Sequence, residues 1–284
     1  MITKIRNAPR KALNTAKIAL SDKYAILNWA TEGIIAENWG DKLNPWLAEK
    51  VSGKKIFHRE NTLPWSSQPV HYWIGSHLGT ACSDPRSVVW GAGFISYDVP
   101  IQGKPGDIHA VRGWLSVKRL KESAGIDVDV VGDAALLLPR FCQPRTAKKK
   151  YALGIIPHCF EWDEPFFKKS FDWENVLPID ITGSIEEVVN QINSCDRIIS
   201  SSLHGIICAD AYNVPSIWLS GSDKPKGDGF KFRDYFSSVG RSDWDPIKVD
   251  ASTSRAVLEK SFRDYSIDID LDALWACCPL RNDR

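Results

Sequence analysis

Residues Ser184 to Leu219 read SIEEVVNQINSCDRIISSSLHGIICADAYNVPSIWL. Ser184 and Glu187 form an S-x-x-E capping box, in which each side chain accepts from a backbone N–H that a helix start leaves free. Ile185, Val188, Val189 and Ile192 follow at i, i+3, i+4 and i+7, one apolar helix face. That helix is expected to end near Ser194. RIIS (Arg197 to Ser200) reads as a buried strand. The chain then turns at Ser201 to Leu203, and a second helix is expected from about Gly205 to Tyr212. Asn213 suits a helix stop, and Pro215 prevents continuation. SIWLS (Ser216 to Ser220) is the next strand. Helices alternating with short apolar strands define an α/β protein with parallel sheets.

The same signal extends outward in both directions. Before residue 139 lie YAILNW (Tyr24 to Trp29), SVVWGAG (Ser87 to Gly93), HAVRG (His109 to Gly113) and VDVVGD (Val128 to Asp133); after it comes YALGIIPH (Tyr151 to His158). Between them, PRFCQPRTAKKK (Pro139 to Lys150) reads as an exposed linker, with two Pro-Arg pairs and three lysines. The expectation is two Rossmann-like domains, residues 1–140 and 151–284, with parallel sheets facing a cleft. The length of 284 residues accommodates two modest α/β domains. Neither an internal repeat nor a low-complexity tract is visible.

Composition excludes several classes of partner. A net charge of +1 gives no mandate for nucleic acid. Seven cysteines without a CxxC pair or Cys/His spacing suggest neither a metal site nor a disulfide framework, and fit a reducing, cytoplasmic compartment. No secretory leader or membrane-length apolar run is present. The early basic residues Lys4, Arg6, Arg10, Lys11 and Lys17 allow peripheral contact with a membrane, although a solvated leading helix is the reading favoured by sequence. Tryptophan, at twelve residues, is abundant; packing explains most of it better than sugar stacking.

His204 sits where a parallel strand ends and a helix begins, flanked by Ser201, Ser202 and Gly205. Ligands bind at that edge of open α/β sheets. Free N–H groups and the helix dipole there favour an anion. The same field disfavours imidazolium, so His204 is expected to be a neutral base. The competing reading is a buried structural histidine.

The segment with S-L-H-G and A-D-A-Y-N-V-P resembles the polysaccharide pyruvyl transferase family. NWGDKLNPWL (Asn38 to Leu47) looks like that family's N-x-G-D-x-L-N-P segment. VRGWLS (Val111 to Ser116) looks like its V-R-G strand end. VGDAALLLP (Val131 to Pro139) is similar to its G-D-P-A-L-L-x-P stretch, with Ala134 in place of proline. GIIPH (Gly154 to His158) opens the second half in the family manner. The resemblance implies two Rossmann-like domains of the glycosyltransferase-B type. It also implies transfer of pyruvate from phosphoenolpyruvate to a sugar as a ketal, in exopolysaccharide or cell-surface glycan synthesis, with no cofactor. The acceptor would be a lipid- or nucleotide-linked saccharide.

That chemistry needs cations and N–H donors for a compact anion, and a group that moves protons. The resemblance makes Arg112 a clamp for carboxylate or phosphate; the alternative is a surface ion pair. The family's lysine beyond the last strand matches Lys224 by offset and Lys231 by context, in FKFRDYF (Phe230 to Phe236); Lys231 is preferred. His204, Arg112 and Lys231 are therefore the catalytic candidates. Ser201, Ser202, Leu203, Gly205 and Lys224 are the donor-binding candidates. The family's arginine before L-H is replaced by Ser202, so that hydroxyl with backbone donors, or Arg233 or another cation, takes its place. Asn38, Asp41 and His77 are acceptor-binding candidates, with helix capping the competing role for Asp41. His158 is a cleft-lining candidate from the second half. Two rival functions share this architecture: a nucleotide-sugar-dependent glycosyltransferase, for which Asp223 and Asp228 offer only loop carboxylates, and a non-catalytic saccharide-binding relative.

Overall fold

A computed structural model describes residues 8–145, 148–242 and 245–282; Lys4 and Arg6 of the basic leader, and Thr146 and Ala147 of the linker, lie outside the described residues. The first half runs α1 (Ala8–Leu20), β1 (Tyr24–Leu27), α2 (Trp39–Ser52), β2 (Lys55–His58), β3 (Val70–Tyr72), α3 (Leu78–Ala81), β4 (Ser87–Trp90), β5 (Asp107–Ala110) and α4 (Trp114–Ala124). The second runs β6 (Tyr151–Ile156), α5 (Pro165–Ser170), β7 (Val176–Pro178), α6 (Ile185–Asn193), β8 (Cys195–Ser200), α7 (Leu203–Ala211), β9 (Ser216–Ser220), α8 (Phe230–Ser238), β10 (Ile247–Lys248), α9 (Arg255–Glu259) and α10 (Leu271–Ala276).

Two five-stranded parallel sheets result, ordered β2-β1-β3-β4-β5 and β10-β9-β8-β6-β7. Read from its own first strand, each half has the order 2-1-3-4-5, so the topology repeats where the sequence shows no repeat. Each sheet has a switch point, between β1 and β3 and between β6 and β8, where ligands bind beyond the strands' carboxyl ends.

The decisive stretch folds as its pattern requires. Ser184 Oγ accepts from Glu187 N at 3.2 Å, and Ile185, Val188, Val189 and Ile192 are buried. Asn213 takes the left-handed conformation (φ 56°) that ends α7. One boundary differs: α7 begins at Leu203, so His204 lies inside its first turn. Ser200 Oγ accepts from Ser202 N at 3.0 Å, which completes the turn two residues earlier than expected. A second difference is at Val128 to Asp133, which makes a single bridge, Val111 to Val131, rather than a strand. The chain there enters a 3-10 segment, Ala134–Arg140, capped by Asp133.

The halves share packing. A single apolar cluster joins Trp39, Leu43 and Trp90 of the first half to Ile198, Ile206 and Ile207 of the second. Trp39, Trp73 and Trp90 are fully buried, which supports packing as their role. The last residues cross back: Trp90 Nε1 donates to Leu274 O at 2.9 Å, and Asn282 N donates to Val51 O at 3.2 Å. Among the described residues no helix is long and apolar enough to cross a membrane.

Candidate active site

The two switch points face each other. At the first, Asn38 caps α2 by accepting from Gly40 N at 3.1 Å. The start of α2 is bound to the other half, since Trp39 N donates to Ile181 O at 2.8 Å and Lys42 Nζ donates to Thr182 O. At the second, α7 presents Ser202, Leu203 and His204. Gly40 is where they meet. A Cβ there would lie 2.0 Å from His204 Nδ1, so glycine is required for the imidazole to rest on the α2 backbone.

A cavity of about 260 Å³ opens at this junction. Asn38, Asp41, His77, Ser202, His204 and Lys231 all line it, so the structure brings together residues from both halves that the sequence placed more than a hundred positions apart. His204 Nε2 is buried without a hydrogen-bond partner. Burial lowers the imidazole to about 4; Asp41 opposes the shift, and Lys231, Arg112 and His77 reinforce it. The ring is therefore neutral at physiological pH, with a nitrogen free to take a proton. Ser202 occupies the N-cap position of α7, but its side chain makes no capping bond.

Lys231 stands in the first turn of α8. It forms no hydrogen bond or salt bridge among the described residues; its ammonium lies 5.5 Å from the Phe232 ring centroid. Burial first, then the Arg112 charge, lowers it to about 8, while Cys159, Glu161 and Asp41 act the other way. Lys231 thus lines the cavity as a half-buried cation without a direct ion pair among the described residues. Lys224, by contrast, is exposed and paired with Glu164 at 2.5 Å, outside the cavity. The context match thus selects the lysine that reaches the site.

Arg112 is not a surface ion pair. It is fully buried, its Nη2 lies 2.9 Å from Asp234 Oδ2, and its Nη1 donates to Ser76 Oγ at 3.1 Å. Asp234 also accepts from Ser116 N at 2.7 Å and from Ser116 Oγ at 2.8 Å. The pair fastens α8 of the second half to the β5–α4 turn of the first. Ser76 lines the cavity, so the guanidinium lies one side chain beneath its wall.

Asp41 is not the helix cap; Asn38 is. Asp41 Oδ1 accepts from Ala30 N at 3.1 Å and lies 3.6 Å from His77 Nε2. Ser201 is buried, and its Oγ accepts from His158 N at 2.9 Å, which orders the His158 strand end. His158 lines the cavity, and burial lowers it to about 3. Gly205 faces the sheet: a Cβ would lie 2.7 Å from Ser200 Oγ and 3.0 Å from Ile156 Cγ2. Its contribution is close packing of α7, not a side-chain-free ligand surface. Arg233 is held by Asp228 O and by Asp245 at 3.2 Å, and Asp228 Oδ1 accepts from Phe230 N at 2.9 Å in the turn that leads into α8, whose N-cap is Gly229.

Sequence reasoning missed Cys159 and Lys226, which also line the cavity. Lys226 arrives on the loop between β9 and α8. Gly227 (φ 101°) packs against Ile95 O of the first half, where a Cβ would come within 2.7 Å. A K-x-x-x-x-K spacing gave no signal, because a loop contact across the cleft has no sequence period.

Parallel α/β halves thus bring a neutral histidine and a half-buried lysine to one cavity at their facing switch points, the arrangement that the resemblance implies. Comparison with known proteins agrees. The family model for polysaccharide pyruvyl transferase matches residues 84–223. The chain is 31% identical over 209 residues, 72% of its length, to the uncharacterized protein L143 of Acanthamoeba polyphaga mimivirus, covering 71% of that protein. It is 26% identical over 238 residues, 81% of its length, to the succinoglycan biosynthesis protein ExoV of Rhizobium meliloti (strain 1021), covering 70% of it. No solved structure matches. The chain belongs to the polysaccharide pyruvyl transferase family.

Proposed function

We propose that the protein is a cytoplasmic transferase that moves pyruvate from phosphoenolpyruvate to a saccharide as a ketal, in the synthesis of an extracellular or cell-surface glycan. The observation that carries this reading is the pairing, in one cavity, of His204 with its unpartnered Nε2 and Lys231 with no counter-ion. Lys231 and the free first-turn amides of α7 hold the donor's phosphate and carboxylate. Arg112 adds positive potential from beneath Ser76.

In this reading His204 takes the proton of the first attacking sugar hydroxyl, as its neutral ring and unpartnered Nε2 allow. The methylene carbon of the donor gains a proton and becomes a methyl group. The sugar oxygen bonds to C2, the C2–O bond to phosphate breaks, and a second hydroxyl closes the ketal. One hydroxyl proton thus ends on carbon and the other leaves with phosphate. Asn38, Asp41 and His77, on the opposite wall, are assigned to the acceptor, and the first half accordingly to the acceptor side.

The test is phosphate release from phosphoenolpyruvate with a panel of free, nucleotide-linked and lipid-linked saccharides, alongside thermal stability with the donor alone. Phosphoenolpyruvate should raise the melting midpoint by mass action. His204→Ala should keep that shift and lose turnover. No midpoint response to phosphoenolpyruvate, together with no phosphate release from it on any saccharide of the panel, would refute the reading; glycosyl transfer from a nucleotide sugar in the same panel would replace it with a glycosyltransferase.

A further inference from the structure

Helix α1 has its polarity reversed. It packs inward through Asn14 and Ile18, which are buried. Asn14 Nδ2 donates to Asn61 O at 2.9 Å, and Thr15 Oγ1 accepts from Leu63 N at 2.9 Å. At 100° per residue the side opposite Asn14 and Ile18 is Pro9, Ala12, Leu13, Ala16 and Leu20, all exposed. A solvated surface helix carries polar residues there; this one carries none. Leu20 is 86% exposed and Leu13 56%. Two residues beyond the Leu63 contact, Trp65 is 78% exposed, among the most exposed large apolar side chains. The helix is exposed, as expected from sequence, but the stripe that it turns outward is apolar.

Charge indicates what covers this face. Arg10 and Lys17 border one edge of the apolar stripe, Lys11 lies on the inward side, Asp22 and Lys23 follow the helix, and α1 contains no acidic residue. None of the four basic residues makes a salt bridge among the described residues. A second copy of the chain would bring these unpaired cations against one another. An anionic lipid surface accepts the leucines at its acyl boundary while Arg10 and Lys17 reach the headgroups. We infer that the outward face of α1 is an interfacial docking surface for an anionic membrane. This goes beyond the reading of the catalytic cavity and does not depend on it.

The experiment is vesicle flotation of the full chain. Pure phosphatidylcholine vesicles are compared with vesicles containing roughly 30% phosphatidylglycerol, at low salt and at about 0.5 M salt. Binding should appear only with the anionic vesicles, weaken with salt, and fall at least about tenfold in the double variant Leu13→Ser/Leu20→Ser. Because both leucines point to solvent, that variant should keep the wild-type melting midpoint. Its response to phosphoenolpyruvate should also be unchanged, which separates this inference from the assignment of the cavity. Failure to float with anionic vesicles would overturn it, as would equal binding to neutral ones. So would a wild-type dimer in sedimentation that the double variant makes monomeric, because a second copy would then be the occupant.

Discussion

Lys231→Met should make the unliganded protein more stable. Lysine and methionine have similar stems, so the change chiefly removes a charge from a half-buried site without a direct ion pair among the described residues. Burial lowers the ammonium from 10.5 to about 8. At about 1.4 kcal/mol per pKa unit, that shift corresponds to roughly 3 kcal/mol held against the folded state at neutral pH. The side chain keeps part of its surface, and solvent screening brings the expectation to about 1–3 kcal/mol. The sign follows from the folded value lying below the unfolded one. Below pH 8 both states are charged and the cost is complete. Between about 8 and 10.5 the folded state sheds its proton first and the cost fades. Urea unfolding of wild type and variant should therefore show a gap at pH 7 that narrows by pH 10. The variant should also lose the stabilisation by phosphoenolpyruvate. A variant less stable than wild type, or a gap that ignores pH, would show that the ammonium has a structural partner and that the reasoning fails.

Other consequences are equally direct. Gly40→Ala puts a methyl 2.0 Å from His204 Nδ1, so turnover should fall by about a hundredfold, as a misplacement of roughly 1 Å produces, with the fold retained by circular dichroism. Asp234→Asn leaves the buried Arg112 uncompensated and should cost about 3–5 kcal/mol in denaturant unfolding, far more than removal of the exposed Lys224–Glu164 pair, for which no loss above about 1 kcal/mol is expected. In kinetics, kcat/KM for phosphoenolpyruvate should decline as pH rises through about 8, where free Lys231 loses its proton, and Lys231→Arg should carry that decline to higher pH.

Much of the second half was legible in the sequence because its signals are local. The capping box at Ser184, the apolar face of α6 and the Asn213–Pro215 stop each depend on residues within one turn of each other. β9 was read as Ser216–Ser220 and lies there. The strands that were missed, β2, β3, β7 and β10, have two to four residues. KIFH and VHY mix polar and apolar residues at that length, and no period can be recognised in them. Val128 to Asp133 failed for the opposite reason. It has the apolar composition of a strand, but Gly132 at φ 145° turns the chain toward the 3-10 segment after a single bridge.

The site divides along the same line. His204 was found because a strand end and a helix start lie on either side of it. Its immediate support was not, because that support is Gly40, brought there by the docking of Trp39 on Ile181. Arg112 was read as an anion clamp or a surface ion pair; the structure instead pairs it, fully buried, with Asp234, 122 positions later, beneath the cavity wall. These cases have one physical cause. The same topology is built twice, and each copy turns a switch point with one helix start toward the other. A helix start can be read from its own residues, but two of them facing each other cannot. Because α8 carries both Asp234 and Lys231, the ion pair that joins the halves also fixes the lysine opposite His204. Arg112 therefore acts on the cavity from beneath its wall, by holding α8 in place and by lowering the proton affinity of Lys231.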